Sequence, residues 1–530
     1  MQTNVLEYLE HSVQSVPDKI AFADGDCDLT FSQFSERTKK IGSCLLKMGA
    51  AKEPVIVYMR KSTETLTAFF GTIYAGCYYV PVDEEMPARR IELILENANA
   101  GFLIYDDSTS PRIDELNFKG QAIHYNECMK TDINQEKLDN VRKAALDIDP
   151  IYVLFTSGST GIPKGVVGHH KGVIDYIDGL TEVLNINEES VFGNQTPFYV
   201  DACMKEVYST LKCGSTTYII PKQYFMFPIK LVEFLNEKKI NTLCWVVSAF
   251  TMISAFGTFD EVVPKYLKTV SFGSEVFPVK QFNIWKKTLP DVEFYNLYGP
   301  TEATGVCCYY HADRLFEENE AIPIGRPFHN TEIMLLDEEG RPVKDGDEGE
   351  ICIHGTCLTH GYHANPERTN EVFVQNPFNK CYHDLIYKTG DLGYVNERGE
   401  LVYTSRKDYQ IKHMGHRIEL GEIEADVNIL DGIRSCCCVF VKEVNKIVLF
   451  YDGDIEKRQL TILLKERLPR HMIPNAIIKL DALPLTQNGK MDRIRMKEMY
   501  LEQSKSKKLS HKIKKWLLYL SCYSDKKVQR

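Results

Sequence analysis

Residues Phe155 to Gly165 read F-T-S-G-S-T-G-I-P-K-G, directly after the short apolar run Ile151-Tyr152-Val153-Leu154-Phe155. A buried strand that opens at once into hydroxyls, glycines and a lysine is suited to phosphate. Gly158 and Gly161 let the backbone come close and present its N–H groups. Thr156, Ser157, Ser159 and Thr160 add hydroxyl donors, and Lys164 adds positive charge. This is not a Walker A loop, because Gly165 follows Lys164 where that motif needs Ser or Thr. The plain alternative is a flexible surface turn.

Outward from this loop, apolar runs such as Pro54-Val55-Ile56-Val57-Tyr58 and Thr216-Thr217-Tyr218-Ile219-Ile220 alternate with helical patterns through the first four hundred residues. That alternation is an α/β arrangement, and 530 residues exceed one typical domain. From Asp408 the rhythm changes. Ile423, Val427 and Leu430 form a helix face closed by Gly432, strand-like runs cover 436–441, 447–451 and 476–480, and Leu460, Leu464 and Leu468 form a second helix face before Pro469. The expected organisation is a large N-terminal domain of layered α/β subdomains over 1–407, a small mobile α+β domain over 408–500, and a basic tail over 501–530. Ile513, Trp516, Leu517 and Leu520 fall at helical spacing among the tail lysines. A solvated terminus and a peripheral membrane or partner contact both fit that pattern.

Composition narrows the class. With 44% hydrophobic and 26% charged residues the chain is neither fibrous nor wholly disordered. No apolar run reaches the ~18–20 residues of a membrane span, and the first residues lack a secretion signal, so a soluble cytoplasmic protein is expected. The 16 cysteines show no paired metal spacing and read as reduced, packed thiols. A net charge of −10 argues against nucleic-acid binding. Local cations still decide what a cleft binds.

Three further segments carry chemistry. Y-N-L-Y-G-P-T-E-A-T, Tyr295 to Thr304, sets aromatics before a Gly-Pro turn, a hydroxyl and a carboxylate. An aromatic face can stack on adenine, Asn296 can bond its amino edge, Thr301 can reach a phosphate, and Glu302 can help hold the Mg²⁺ of ATP; a bare strand-end turn is the alternative. Y-K-T-G-D-L-G, Tyr387 to Gly393, precedes Y-T-S-R-K-D-Y-Q-I-K-H-M-G-H-R-I-E-L-G-E-I-E, Tyr403 to Glu424, and Asp391 can accept from both ribose hydroxyls. L-P-L-T-Q-N-G-K-M-D-R, Leu483 to Arg493, holds Lys490 on an Asn-Gly turn, where a lysine is often merely solvated.

In this order, and with A-G-C-Y-Y-V-P-V-D (Ala75 to Asp83) and G-E-I-C-I-H-G-T-C-L-T-H-G-Y (Gly349 to Tyr362), the segments resemble the adenylate-forming superfamily. The likeness is greatest to amino-acid adenylation domains of nonribosomal peptide synthetases and to D-alanine:carrier-protein ligases, and it spans about Leu29 to Arg493. The resemblance implies a ligase that joins a carboxylate to AMP, releases pyrophosphate and passes the acyl group to a thiol. It implies that Lys490 bridges carboxylate and nucleotide, that Glu302 helps hold Mg²⁺, and that Thr156, Lys164 and the loop around them handle pyrophosphate. Asp391, Tyr403 and Arg406 would lie at ribose, and Gly273, Ser274, Glu275, Tyr298 and Gly299 at adenine. Asp408 maps onto a hinge between half-reactions.

By the same resemblance Asp201 pairs with a substrate α-amino group, and Ala202, Lys205, Cys244, Val270, Phe272, Leu297, Gly305 and Val306 line the substrate pocket, with Phe272 narrowing it. Lys205 either faces that pocket and pairs with an acidic side chain or points to solvent. Departures from the family pattern are Val200 and Cys203 for the usual Phe and Ser, Ser405 for Gly, and His413-Met414 for Ile-Arg. No Gly-Gly carrier signature occurs. A freestanding enzyme acting on a separate phosphopantetheinylated carrier protein is expected, with coenzyme A as the other acceptor. The rival from a different class is a nucleotide-binding homologue without turnover.

Overall fold

The computed structural model describes residues 2–158, 162–408, 410–485 and 491–504. Lys490 with its Asn-Gly turn, and the basic tail from Lys505, lie outside the described residues, as do Ser159, Thr160 and Gly161. Two compact units form, one holding residues up to Ser157 and from Ile162 to Arg417, the other the chain from Ile418.

The first unit contains two large sheets and a smaller third. In a six-stranded sheet, β1 (Pro150–Thr156) pairs antiparallel with β2 (Lys164–His169), so the quoted loop is the connection of a hairpin. Ile151 to Phe155 are buried, as the apolar run requires. Helix α1 (His170–Val183) follows β2, capped by the His169 ring, which accepts from the Gly172 N–H. Helix α2 (Met204–Cys213) continues a single 3₁₀ turn at Asp201–Cys203.

In the nine-stranded sheet, Thr216–Ile219, Val191–Asn194, β3 (Thr242–Val246), β4 (Thr269–Gly273) and β5 (Glu293–Tyr298) lie side by side and parallel. Candidate residues gather at the carboxyl ends of β3 to β5, where open α/β sheets leave a crevice. The third sheet is antiparallel and includes β6 (Leu385–Val395) and β7 (Leu401–Arg406), whose register sets Asp391 opposite Arg406.

A two-stranded ribbon of β8 (Gln410–His413) and β9 (His416–Glu419) follows. Its turn uses positive φ at Met414 (52°) and Gly415 (78°), the twist a two-residue hairpin prefers. By packing, residues from Ile162 to Arg417 go with the first unit. The reason is local: the Gly415 N–H donates to Glu275 and the Arg417 carbonyl accepts from Ser157.

The second unit builds α3 (Leu420–Asn428), β10 (Ile433–Val441), β11 (Lys446–Gly453), α4 (Lys457–Arg467) and β12 (Ala476–Lys479), with the strands in one sheet. Residues 493–504 are helical. Ile423, Val427, Leu460 and Leu464 are the buried helix faces read from spacing. Among the described residues no helix is long and apolar enough to cross a membrane.

Candidate active site

Asp391, almost wholly buried, accepts from the Tyr298 hydroxyl at 2.6 Å on Oδ2 and from Arg406 Nη1 at 2.6 Å on Oδ1. A buried carboxylate needs such donors. Arg406 turns its other edge to Asp408, with Nε and Nη2 at 2.7 and 2.8 Å from the two carboxylate oxygens. Arg406 thus bridges the ribose candidate and the hinge candidate. Burial works against both groups, yet the pair raises the Arg406 guanidinium above its usual range and holds Asp408 below the usual carboxylate value. Tyr403, on β7, lies in the field of the same charges.

Glu302 has no exposed surface. Its Oε1 accepts from the Tyr362 hydroxyl at 2.6 Å, and its Oε2 accepts from Arg417 Nη1 at 2.7 Å. Lys164 stands near, its Nζ 5.4 Å from the centre of the Tyr362 ring. Burial alone would raise the Glu302 carboxyl; Arg417, Lys164 and the tyrosine outweigh it and hold it at about 2. Lys412 completes the cationic set. Its Nζ lies 5.5 Å from the Tyr298 ring centre, within the field of both Asp391 and Asp201. Burial lowers its ammonium.

Other predicted residues sort as follows. Thr156 pairs with Lys164 across the β1–β2 ladder. Ser157 differs from the phosphate-donor expectation: its hydroxyl donates to the Arg417 carbonyl at 2.8 Å, because the chain at Arg417 lies against it. Gly273 ends β4 where a side chain would strike the Leu297 carbonyl. Ser274 follows at φ 65°. Glu275 accepts from the Ser248 N–H at 2.9 Å and the Gly415 N–H at 3.1 Å, so it ties a helix start to the ribbon turn. Asn296 donates through Nδ2 to the Pro323 carbonyl at 2.8 Å, which leaves Oδ1, the acceptor an adenine amino edge needs. Thr301 and Glu302 share a 3₁₀ turn after Pro300. A Cβ on Gly299 would meet Val306 Cα at 2.6 Å, so this turn demands glycine.

Alternation divides the predicted pocket. Cys244, Leu297 and Val306 join the core on the α1–α2 side of the sheet together with Tyr176 and Met204. Val270 and Phe272 do not; they pack on the opposite face with Trp245 and Phe294, Phe272 lying edge-on to Phe277 at 4.9 Å. Neighbours in register point the same way, and Cys244 is level with Ser271, not Phe272. Phe272 therefore does not narrow the pocket, and Ser271 is the β4 side chain on its side. Asp201 lies against Gly305, where a Cβ would be 3.6 Å from Asp201 Cβ. Ala202 and Lys205 are buried beside it.

Residues 9–363 match the family described as AMP-binding enzyme. The chain belongs to the AMP-binding enzyme family. It is 30% identical to zwittermicin A synthase ZmaJ of Bacillus cereus, over 93% of this chain and 94% of that one. It is also 30% identical to the D-alanine–D-alanyl carrier protein ligase of Bacillus cereus (strain Q1), over 92% and 98%. Of surfactin synthase subunit 1 from Bacillus subtilis, at 28% identity, it spans only 14%. The Vibrio cholerae adenylation domain AlmE, solved with glycyl-adenosine-5′-phosphate, superposes with a TM-score of 0.82 at 18% identity over 95% and 98% of the chains, a likeness of fold.

As a member of the AMP-binding enzyme family the chain is an adenylate-forming ligase with the fold expected from sequence. Mg²⁺ at Glu302 is a separate matter. One carboxylate suits a Mg²⁺ that keeps phosphate and water ligands, but here the Oε2 that a metal would meet already faces the Arg417 guanidinium, and Oε1 accepts from Tyr362. A divalent cation and Arg417 would repel at Oε2, so Glu302 as arranged does not fit the metal. Arg417, Tyr362 and Lys412 went unassigned in sequence, although all three lie inside the quoted motifs.

Proposed function

We propose that this ligase activates an amino acid as its adenylate and loads it onto the phosphopantetheine thiol of a separate carrier protein. The observation that carries the reading is the gathering of Arg406, Lys412, Arg417 and Lys164 around two buried carboxylates, with Asp201 nearby at the pocket. A substrate carboxylate, with a pKa near ~4, is ionised at neutral pH and needs no general base. Its oxygen attacks the ATP α-phosphorus as the bond to the β-phosphate bridging oxygen breaks, and pyrophosphate leaves. In the second step the thiol sulfur attacks the acyl carbon, AMP leaves with the bonding pair, and the thiol proton passes to solvent.

The protein's part is to let two anions approach and to balance charge developing on the phosphates. Asp391, Arg406, Tyr403, Tyr298 and Asn296 are assigned to the nucleoside, Thr156, Lys164 and Thr301 to the phosphates, and Asp201 to the substrate ammonium. Lys490 is assigned the bridge between the reacting anions. Mg²⁺ enters the proposal on chemical grounds alone, as the ion a triphosphate carries. The similarity to a carrier protein ligase along nearly its whole length supports a carrier acceptor over coenzyme A.

ATP–pyrophosphate exchange against a panel of amino acids and other carboxylic acids tests the first step. Mass shift of a phosphopantetheinylated carrier, set against acyl-coenzyme A formation, tests the second. ATP binding without exchange on any acid would return the rival of a homologue without turnover.

A further inference from the structure

Asp201 and Lys205 stand four residues apart across a 3₁₀ turn that runs into α2, so their side chains share one face of the helical segment. Lys205 does not point to solvent; it is 7% exposed. Among the described residues its ammonium has neither a hydrogen bond nor an ion pair. It lies in the electrostatic range of Cys203, Cys244 and Glu206, and Cys244 is on the pocket side of the sheet. Tyr176 of α1 faces the same place: its hydroxyl is buried without a partner and senses Asp201, Cys244 and Glu206.

We propose that the pocket takes an amino acid whose side chain ends in a carboxylate, read by Lys205 with the Tyr176 hydroxyl as a second donor. The proposal rests on the amino-acid reading above. An ammonium at the end of so buried a side chain is best matched by an anion that also accepts hydrogen bonds, and a carboxylate offers both. A neutral amide would leave the charge unmatched. Glu206, next along the helix, lies in the field of Lys205 but makes no ion pair with it among the described residues, and burial pushes its carboxyl up to about 7 against the pull of that lysine. Asp201 and Lys205 would then fix opposite ends of the substrate, its ammonium and its side-chain carboxylate.

The test is ATP–pyrophosphate exchange by the full chain with both enantiomers of aspartate and glutamate, their amides, alanine, leucine and lysine. One dicarboxylic amino acid is expected to exceed its own amide in kcat/KM by about 10²-fold or more, below the ~10⁴–10⁵ by which a site built to hydrogen-bond a group rejects an analogue lacking it, because the amide still offers one acceptor. Lys205→Met is expected to abolish that preference, bringing the acid down to or below its amide; Lys205→Arg should retain the acidic preference. Fastest exchange with an apolar or basic amino acid, or a profile unchanged by Lys205→Met, would overturn the proposal and leave adenylation standing. Exchange with other carboxylic acids but no amino acid would overturn both readings. If Lys205→Met fails to fold, the wild-type panel decides alone.

Discussion

Arg417 holds Glu302 as its counter-ion at 2.7 Å, in a place where the glutamate has no exposed surface and the arginine side chain is 15% exposed. This pairing explains how a fully buried carboxylate stays ionised with a value of about 2. It also means that the acid expected to serve a metal is matched internally by the last residue of the large unit.

Removing Arg417 should leave Glu302 buried without its ion-pair partner, held only by the Tyr362 hydroxyl and the more distant Lys164. Arg417→Met is expected to destabilise the protein by about 3–5 kcal/mol, the range for breaking a buried pair from one side. The pH dependence has a definite sign. Glu302 lies below its unfolded value of ~4.3, so its contribution is present above that pH and is lost as pH falls toward 2. Without Arg417, burial raises the carboxyl, and acid unfolding should move to higher pH. Thermal unfolding of both proteins between pH 3 and 7 checks this; parallel curves would disprove the coupling.

Asp391→Asn keeps the shape but removes the charge that Arg406 faces and replaces one acceptor by an amide donor. A charged hydrogen bond contributes about 1.5–3 kcal/mol, so affinity for ATP should fall by roughly 10–100-fold. Asp391 meets Tyr298 and Arg406 with one lone pair of each oxygen, leaving capacity for ribose. Calorimetric titration with ATP measures the loss, and an unchanged Kd would remove Asp391 from the nucleotide site.

Strands, helix faces and the residue types of the site were legible because each depends on spacing within a short window. Ile423 and Val427 are buried as their period requires, and Asp391 meets Arg406 because β6 and β7 are neighbours along the chain. The Glu302 partners were not legible: Arg417 lies 115 residues away and Tyr362 lies 60 away, and no local period encodes such a meeting. Phe272 was misplaced for a different reason. Strand alternation alone sets it on the face opposite Ser271, whichever motif it belongs to.

Asp408 is half exposed and grips Arg406 with both oxygens. Proline there would fix φ in the chain segment that leads into the ribbon. If this segment is the hinge, Asp408→Pro should slow carrier loading at least tenfold more than it slows pyrophosphate exchange, an excess of about 1.4 kcal/mol in the second barrier. Both half-reactions are measured on one preparation. Equal losses would assign Asp408 to holding Arg406 instead.

Lys490→Ala tests the remaining cation. Loss of one preorganised donor to a transition state lowers kcat by about 10²–10³, so pyrophosphate exchange should fall by that factor with ATP affinity little changed. A neighbour supplies the control. Arg493 grips Glu424 of α3 with both nitrogens, at 2.7 and 2.9 Å, and anchors the chain three residues beyond Lys490. Arg493→Lys keeps the charge but loses the two-point fork; if Lys490 acts through its position, this variant should slow exchange part of the way toward Lys490→Ala. Near wild-type exchange in Lys490→Ala would mean that Lys412 and Arg417 neutralise the reacting anions without it.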